Sequence, residues 1–211
     1  MPLLPCVPRD ICSRSTRCTG GYRLGRLARW TTIALACVLA TGCAPPPPLL
    51  SPPLAPQTLG QSVTVRQQVT VRRGDQTRSM QVALQVAPTQ LTMIGLTAVG
   101  QRLFTLSWNG QQSTLDSRIS SIDSLDPTRV LADLQLAYWP LATLRAALPD
   151  NLRLEQFGSA RMLWRNGKLL WFASSQGKDR WHSPLTLYNA RLEYRLTIRP
   201  LTLGEQTTGR P

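Results

Sequence analysis

The chain has 211 residues, with 24 Lys+Arg against 11 Asp+Glu, one His and five Cys, and a hydrophobic fraction of 42%. That balance excludes a collagen, a coiled coil, a disulfide-rich miniprotein and a wholly disordered chain. All five cysteines (Cys6, Cys12, Cys18, Cys37, Cys43) precede residue 44, so no disulfide framework holds the remainder together. Residues 1–21 show no periodicity and are long for the charged region of a signal; a start codon assigned too early accounts for them. The apolar run between Trp30 and Cys43 is about 13 residues, short of the roughly 20 that cross a bilayer as a helix. Arg23, Arg26 and Arg29 precede it and Gly42-Cys43 ends it, the order of a secretory signal peptide.

Leu39-Ala40-Thr41-Gly42-Cys43 resembles the lipobox of bacterial lipoproteins. The resemblance implies that the Cys43 thiol carries diacylglycerol, that the chain is cleaved before it, and that the new amino terminus takes an acyl group of the palmitate kind. Ala44, in place of an Asp, follows the cysteine; in that pattern this implies the outer membrane, periplasmic face. An uncleaved anchor helix is the alternative, but the run is short and Pro45 to Pro48 stop a helix at once. The expected organisation is a signal peptide over 1–42, a lipidated cysteine and proline-rich tether over 43–58, one domain over 59–203, and a disordered tail over 204–211.

Cleavage before Cys43 leaves 18 basic and 10 acidic residues. In the cytoplasm such an excess would suggest nucleic acid; behind a signal peptide it suggests anionic lipid head groups, and no nucleic-acid partner is expected. Because the arginines are dispersed, a merely solubilising surface accounts for them equally well. The seven prolines between Ala44 and Pro56 favour an extended, semi-rigid segment.

Beyond the tether, apolar residues alternate at period two, the strand signal. Val63, Val65, Val69 and Val71 share one side; after the Arg73-Gly74-Asp75 turn, Met80, Val82, Leu84 and Val86 do the same. Leu91 and Met93 lead to Phe104, Leu106 and Trp108 on one face, then Asn109-Gly110, a two-residue hairpin signal, and a returning strand over Gln111 to Leu115. Asp126-Pro127 combines a helix cap with a proline tolerated at the first helical position. Val130, Leu131, Leu134, Ala137 and Tyr138 form the apolar face of that helix, and Pro140 opens a second carrying Leu141, Leu144 and Leu148. Strands resume over Ala160 to Trp164, turn at Asn166-Gly167, and continue over Leu169 to Ala173, His182 to Leu187 and Arg191 to Arg199. Strands, helices, then strands predict α+β with an antiparallel sheet around the helices.

The stretch Leu131-Ala132-Asp133-Leu134-Gln135-Leu136-Ala137-Tyr138-Trp139-Pro140, with Leu96 to Phe104 before it and Tyr194 to Ile198 after it, resembles a domain-of-unknown-function family of bacterial lipoproteins. Members of that family are encoded beside genes for aryl-polyene or related fatty-acid-like synthesis. More distantly, the layout resembles the outer-membrane lipoprotein receptor LolB and its carrier relative LolA. That resemblance implies an open antiparallel half-barrel enclosing or capped by short helices, with an apolar cavity for acyl chains. The candidate lining residues are Phe104, Leu106, Trp108, Leu134, Tyr138, Met162, Trp164, Trp171 and Phe172; the same side chains can instead fill a dry core.

Enzyme chemistry finds little support. His182 is the only histidine, beside Ser183 and three residues after Asp179, and sequence neighbours rarely form a triad. Asp116, Asp123, Asp126 and Asp133 could suggest paired carboxylates, but Asp126 reads as a cap and the others as solvated groups. Zinc spacing and a phosphate-binding glycine loop are absent, and no metal or cofactor is expected. Arg102, Arg161 and Arg195 could pair with a head group or serve as ordinary surface charges. The readings that remain are a binder of an acyl or polyene lipid or lipidated cargo, an accessory lipoprotein docking on a periplasmic carrier or exporter, and a hydrolase.

Overall fold

The computed structural model describes residues 48–118 and 126–201. The signal segment, Cys43, Asp123 and the expected tail over 204–211 lie outside the described residues. Ten strands form a single antiparallel sheet: β1 (Val63–Arg73), β2 (Gln76–Val86), β3 (Leu91–Leu96), β4 (Arg102–Trp108), β5 (Ser113–Ser117), β6 (Arg153–Phe157), β7 (Ala160–Arg165), β8 (Lys168–Ser175), β9 (Leu185–Asn189) and β10 (Tyr194–Pro200). Their spatial order is β5-β4-β3-β2-β1-β10-β9-β8-β7-β6, so the first and last strands pair at the centre and β5 and β6 are its open edges. Helices α1 (Pro127–Tyr138) and α2 (Leu141–Ala147) follow β5 and precede β6. The fold is α+β, a mostly antiparallel open sheet with two short helices.

Period-two alternation decides which side chains face α1. In β1 the pairing Val69 with Met80 and Ile198 carries the inner face across the middle of the sheet, and Val65, Val82, Leu84, Leu91, Leu106, Leu187 and Ile198 are buried along it. Asp126 caps α1 through Thr128 N, 2.9 Å away, and Pro127 occupies the first helical position, as the sequence indicates. From Leu131 to Tyr138 every residue of α1 is buried, because the sheet covers one side and other segments cover the rest.

Several boundaries depart from expectation for local reasons. Asn109 Oδ1 accepts from the amides of Gln111 and Gln112 at 2.9 and 2.8 Å; the turn therefore takes four residues, and the returning strand is Ser113–Ser117, not Gln111 to Leu115. Asn189 Oδ1 similarly holds the amides of Arg191 and Leu192, delaying the last strand to Tyr194. Strand β6, whose alternation is mostly polar, has no counterpart in the sequence reading. The proline-rich segment also joins the domain earlier than residue 59: Leu49 and Leu50 are 6% and 1% exposed. No helix among the described residues is long and apolar enough to cross a membrane.

Candidate functional site

Helix α1 and the inner face of the sheet enclose an apolar space that a third element completes. Residues 48–59 run across it as a strap with one short 3-10 turn (Pro56–Leu59). Leu49, Leu50 and Leu59 are buried in the same core as Leu106, Leu131 and Trp139, and Leu54 packs against it. Backbone held outside a sheet needs other partners for its amides and carbonyls, and here side chains provide them. The Gln135 side chain, fully buried on α1, accepts from Leu54 N at 2.8 Å and donates to Leu54 O at 2.7 Å. The Trp108 indole donates to the same carbonyl at 2.8 Å, and the Trp139 indole donates to Thr58 Oγ1 at 2.9 Å. A primary amide meeting both polar groups of one residue reproduces the pairing of a neighbouring strand, so α1 holds the strap as an extended peptide.

Two residues before Gln135 and on the opposite side of α1, Asp133 is buried and accepts from Trp171 Nε1 at 2.9 Å, from Asn189 Nδ2 at 3.4 Å, and from the Tyr194 hydroxyl. Burial pushes its carboxyl up to about 7, against the indole and amide donors and the Arg129 charge, which favour the carboxylate. A small concavity opens beside it, with a volume of about 10 Å³, lined by Pro48, Leu49, Arg129, Asp133, Asn189 and Arg191 among others. That is room for about one water.

Two further buried polar groups fasten the C-terminal end of α1. Arg161 donates through Nη1 to the carbonyls of Leu136, Ala137 and Trp139 at 3.0, 3.2 and 2.8 Å, satisfying oxygens left free where the helix stops. Burial lowers its guanidinium to about 10, with the nearby Arg180 charge acting the same way. Gln67, buried within the valine series of β1, donates to Tyr138 OH at 3.2 Å; Tyr138 stacks on Trp181 with ring centroids 4.1 Å apart.

Residues 64–202, which run from β1 through both helices to the end of β10, match the family model described as Protein of unknown function (DUF3261). The chain belongs to that family. No curated protein matches it. Among the described residues the DUF3261 range takes in both helices and every strand but for Val63 at the start of β1, while the strap and Cys43 precede it.

In this DUF3261 domain, six of the nine candidate lining residues converge on the space around α1: Phe104, Leu106, Trp108, Leu134, Tyr138 and Trp171 are all buried. The other three do not join them. Met162 pairs with Phe172 in positions alternate to Leu163 and Trp171, which places both on the outer face, and Trp164 lies past a register shift, half-buried with its indole nitrogen covered. An unbroken apolar run over Met162 to Trp164 conceals this parity in the sequence. Asp133, read as a solvated group, and Arg161, read as a head-group partner or a surface charge, are both buried and structural, whereas Arg102 pairs with Asp116 at 2.5 Å and Arg195 is exposed. His182 Nδ1 lies 2.8 Å from Asp179 Oδ2 in an exposed loop; this bond holds the Asp179 carboxyl below its usual range. Sequence reasoning missed Gln135 and Gln67 and took Asp133 for a solvated group. The one available signal was a polar residue among apolar ones, next to Leu134 and Leu136 for Gln135 and between Val65 and Val69 on one strand face for Gln67.

Proposed function

We propose that this is a lipid-anchored, non-catalytic protein of the outer membrane's periplasmic face, acylated at Cys43. It binds an acyl or polyene chain, or lipidated cargo, between α1 and the inner face of a LolB-like half-barrel. The observation that carries the reading is the strap. Leucine side chains from a segment outside the sheet ladder fill the apolar space, and polar contacts from Gln135, Trp108 and Trp139 hold that segment. An acyl chain entering there replaces one set of buried methylenes with another, each worth about 0.8 kcal/mol. The exchange therefore needs little net driving force once the strap's few polar bonds are released. A periplasmic carrier or exporter would deliver or receive the cargo.

The test is extraction of the purified protein with organic solvent, mass spectrometry of what co-purifies, and titration with a fluorescent fatty acid. The Gln135→Leu variant, which removes both bonds to Leu54, should bind the fatty acid several-fold more tightly than the parent. Absence of bound lipid and of saturable binding in both proteins would sink the reading. A second reading, an accessory lipoprotein binding a protein of an envelope export complex, is favoured by the packing of the strap leucines into the space around α1.

A further inference from the structure

The β6–β7 turn and the loop between β8 and β9 leave between them a cleft of about 430 Å³, a size usual for small-molecule pockets. Gln156, Gly158 and Ser159 line it from the turn, and Gln176, Gly177, Lys178 and Arg180 from the loop; no residue of α1 or of the strap takes part. The two walls are fixed to each other and within themselves. Ser175 N donates to Ser159 O at 3.3 Å and Gln176 N to Pro184 O at 2.9 Å, while Ser175 Oγ donates to Gly177 O at 2.9 Å. No apolar side chain lines the cleft, so an acyl chain finds nothing there to bury against.

The lining carries two cations and no carboxylate. The acids nearest in sequence are engaged elsewhere: Asp179 accepts from Trp181 N at 2.9 Å and lies 2.8 Å from His182 Nδ1, and Glu155 pairs with Arg153 at 2.6 Å. A third cation stands behind Gln156, whose Oε1 accepts from Arg161 Nε at 3.0 Å. The Arg180 charge adds to the burial that lowers the Arg161 guanidinium, and an anion between such charges relieves their repulsion. Arg180 itself is held by Nη2, which donates to Ser159 O at 2.8 Å. Its Nη1 is buried with no partner among the described residues, a position that costs a missing hydrogen bond. A turn of the guanidinium toward the cleft would give both nitrogens an oxygen. The side chains of Ser159, Gln176 and Lys178 likewise have no partner among the described residues.

We propose that this cleft binds a phosphate monoester, with Arg180 forking onto two phosphate oxygens, Lys178 as the second cation, and Ser159 and Gln176 bonding the polar group that carries the phosphate. Arginine donates two parallel bonds to a phosphate through its planar fork. A phosphate monoester brings close to two negative charges at neutral pH and three acceptor oxygens, which suits three neighbouring cations better than the single charge of a carboxylate. The monoester is either a soluble phosphorylated molecule or the head group of a lipid. The site depends neither on an acyl chain entering the interior nor on the Cys43 anchor.

The test is calorimetric titration of the full chain with glycerol 3-phosphate, which should bind saturably at one site, more weakly as salt is added; glycerol should not bind. Lys178→Gln should weaken binding about fivefold and Arg180→Gln about tenfold or more. Lys168→Gln and Arg199→Gln, equal charge changes at exposed positions outside the cleft, should leave it unchanged. Because Arg180 also holds Ser159 O, the fold of its variant is checked by circular dichroism, and the exposed Lys178 tests the site without that demand. In the parent, the amide resonances of Ser159, Gly177 and Lys178 should shift during the titration while those of Asn166 and Gly167 stay in place. Co-sedimentation with phosphatidylcholine vesicles containing phosphatidic acid separates the two sources. Vesicle binding that Lys178→Gln weakens and Lys168→Gln does not, with none of the soluble ester, assigns the phosphate to a lipid; binding of the soluble ester alone assigns it to a soluble molecule. No saturable binding of either probe, equal binding of glycerol, or equal loss in Lys178→Gln and Lys168→Gln would each overturn the proposal.

Discussion

Asp133 is 6% exposed, and its carboxyl rises from an ordinary 3.8 to about 7 because burial penalises the charge more than the Trp171 and Asn189 donors favour it. The folded state therefore keeps a proton that the unfolded chain has already released. The stability contributed is complete below about pH 4 and is lost as pH rises through about 7, a change on the order of a few kcal/mol. Urea midpoints at pH 5 and pH 8 should show the parent weaker at the higher pH; Asp133→Asn, which cannot ionise, should abolish most of that difference. Arg161 acts at the C-terminal end of α1. Replacement by Met keeps the apolar stem but leaves the carbonyls of Leu136, Ala137 and Trp139 without their donor. A loss of about 2–4 kcal/mol is expected, measured by urea unfolding. Neither role is visible in the sequence, where an aspartate on a helix and an arginine on a strand read as solvated.

Among the elements, α1 shows how far an amphipathic pattern reaches. Its cap, first proline and stop at Trp139 are local and follow from Asp126, Pro127 and Pro140. Burial of its other face depends on the strap, and the strap's place depends on Gln135, which is 81 residues from Leu54. The β3–β4 pair offers a comparable contact across the sheet. Gly95 lies where the register shifts, and a Cβ there would meet the Phe104 ring. Gly95→Ala should lower stability by about 1–3 kcal/mol through overpacking, and thermal unfolding will measure it. Its partner in the argument is Phe104→Leu, which shortens the ring and should recover part of the loss in the double variant. A glycine inside an alternating strand signals a close approach, although the sequence does not say to which residue.

At the scale of the whole molecule, β1 pairs with both β2 and β10, so each half of the sheet ends on a strand that the other half covers. A fragment ending at residue 118 keeps β1 to β5 but exposes the β1 edge and the apolar face that α1 buries. It should fail to fold as a monomer, seen as lost near-ultraviolet dichroism and self-association in size-exclusion chromatography. The sequence by itself determined most strands, the helix caps and the Gly74 and Asn166-Gly167 turns, because these depend on side-chain alternation and on backbone preferences within a few residues. It also carried the basic excess in plain view. Only the tertiary structure decided which apolar residues face inward, why Asp133, Gln135, Gln67 and Arg161 are buried, and that residues 48–59 belong to the domain. These features arise from pairings between residues tens of positions apart, where burial and partner choice depend on the folded surroundings and not on local pattern.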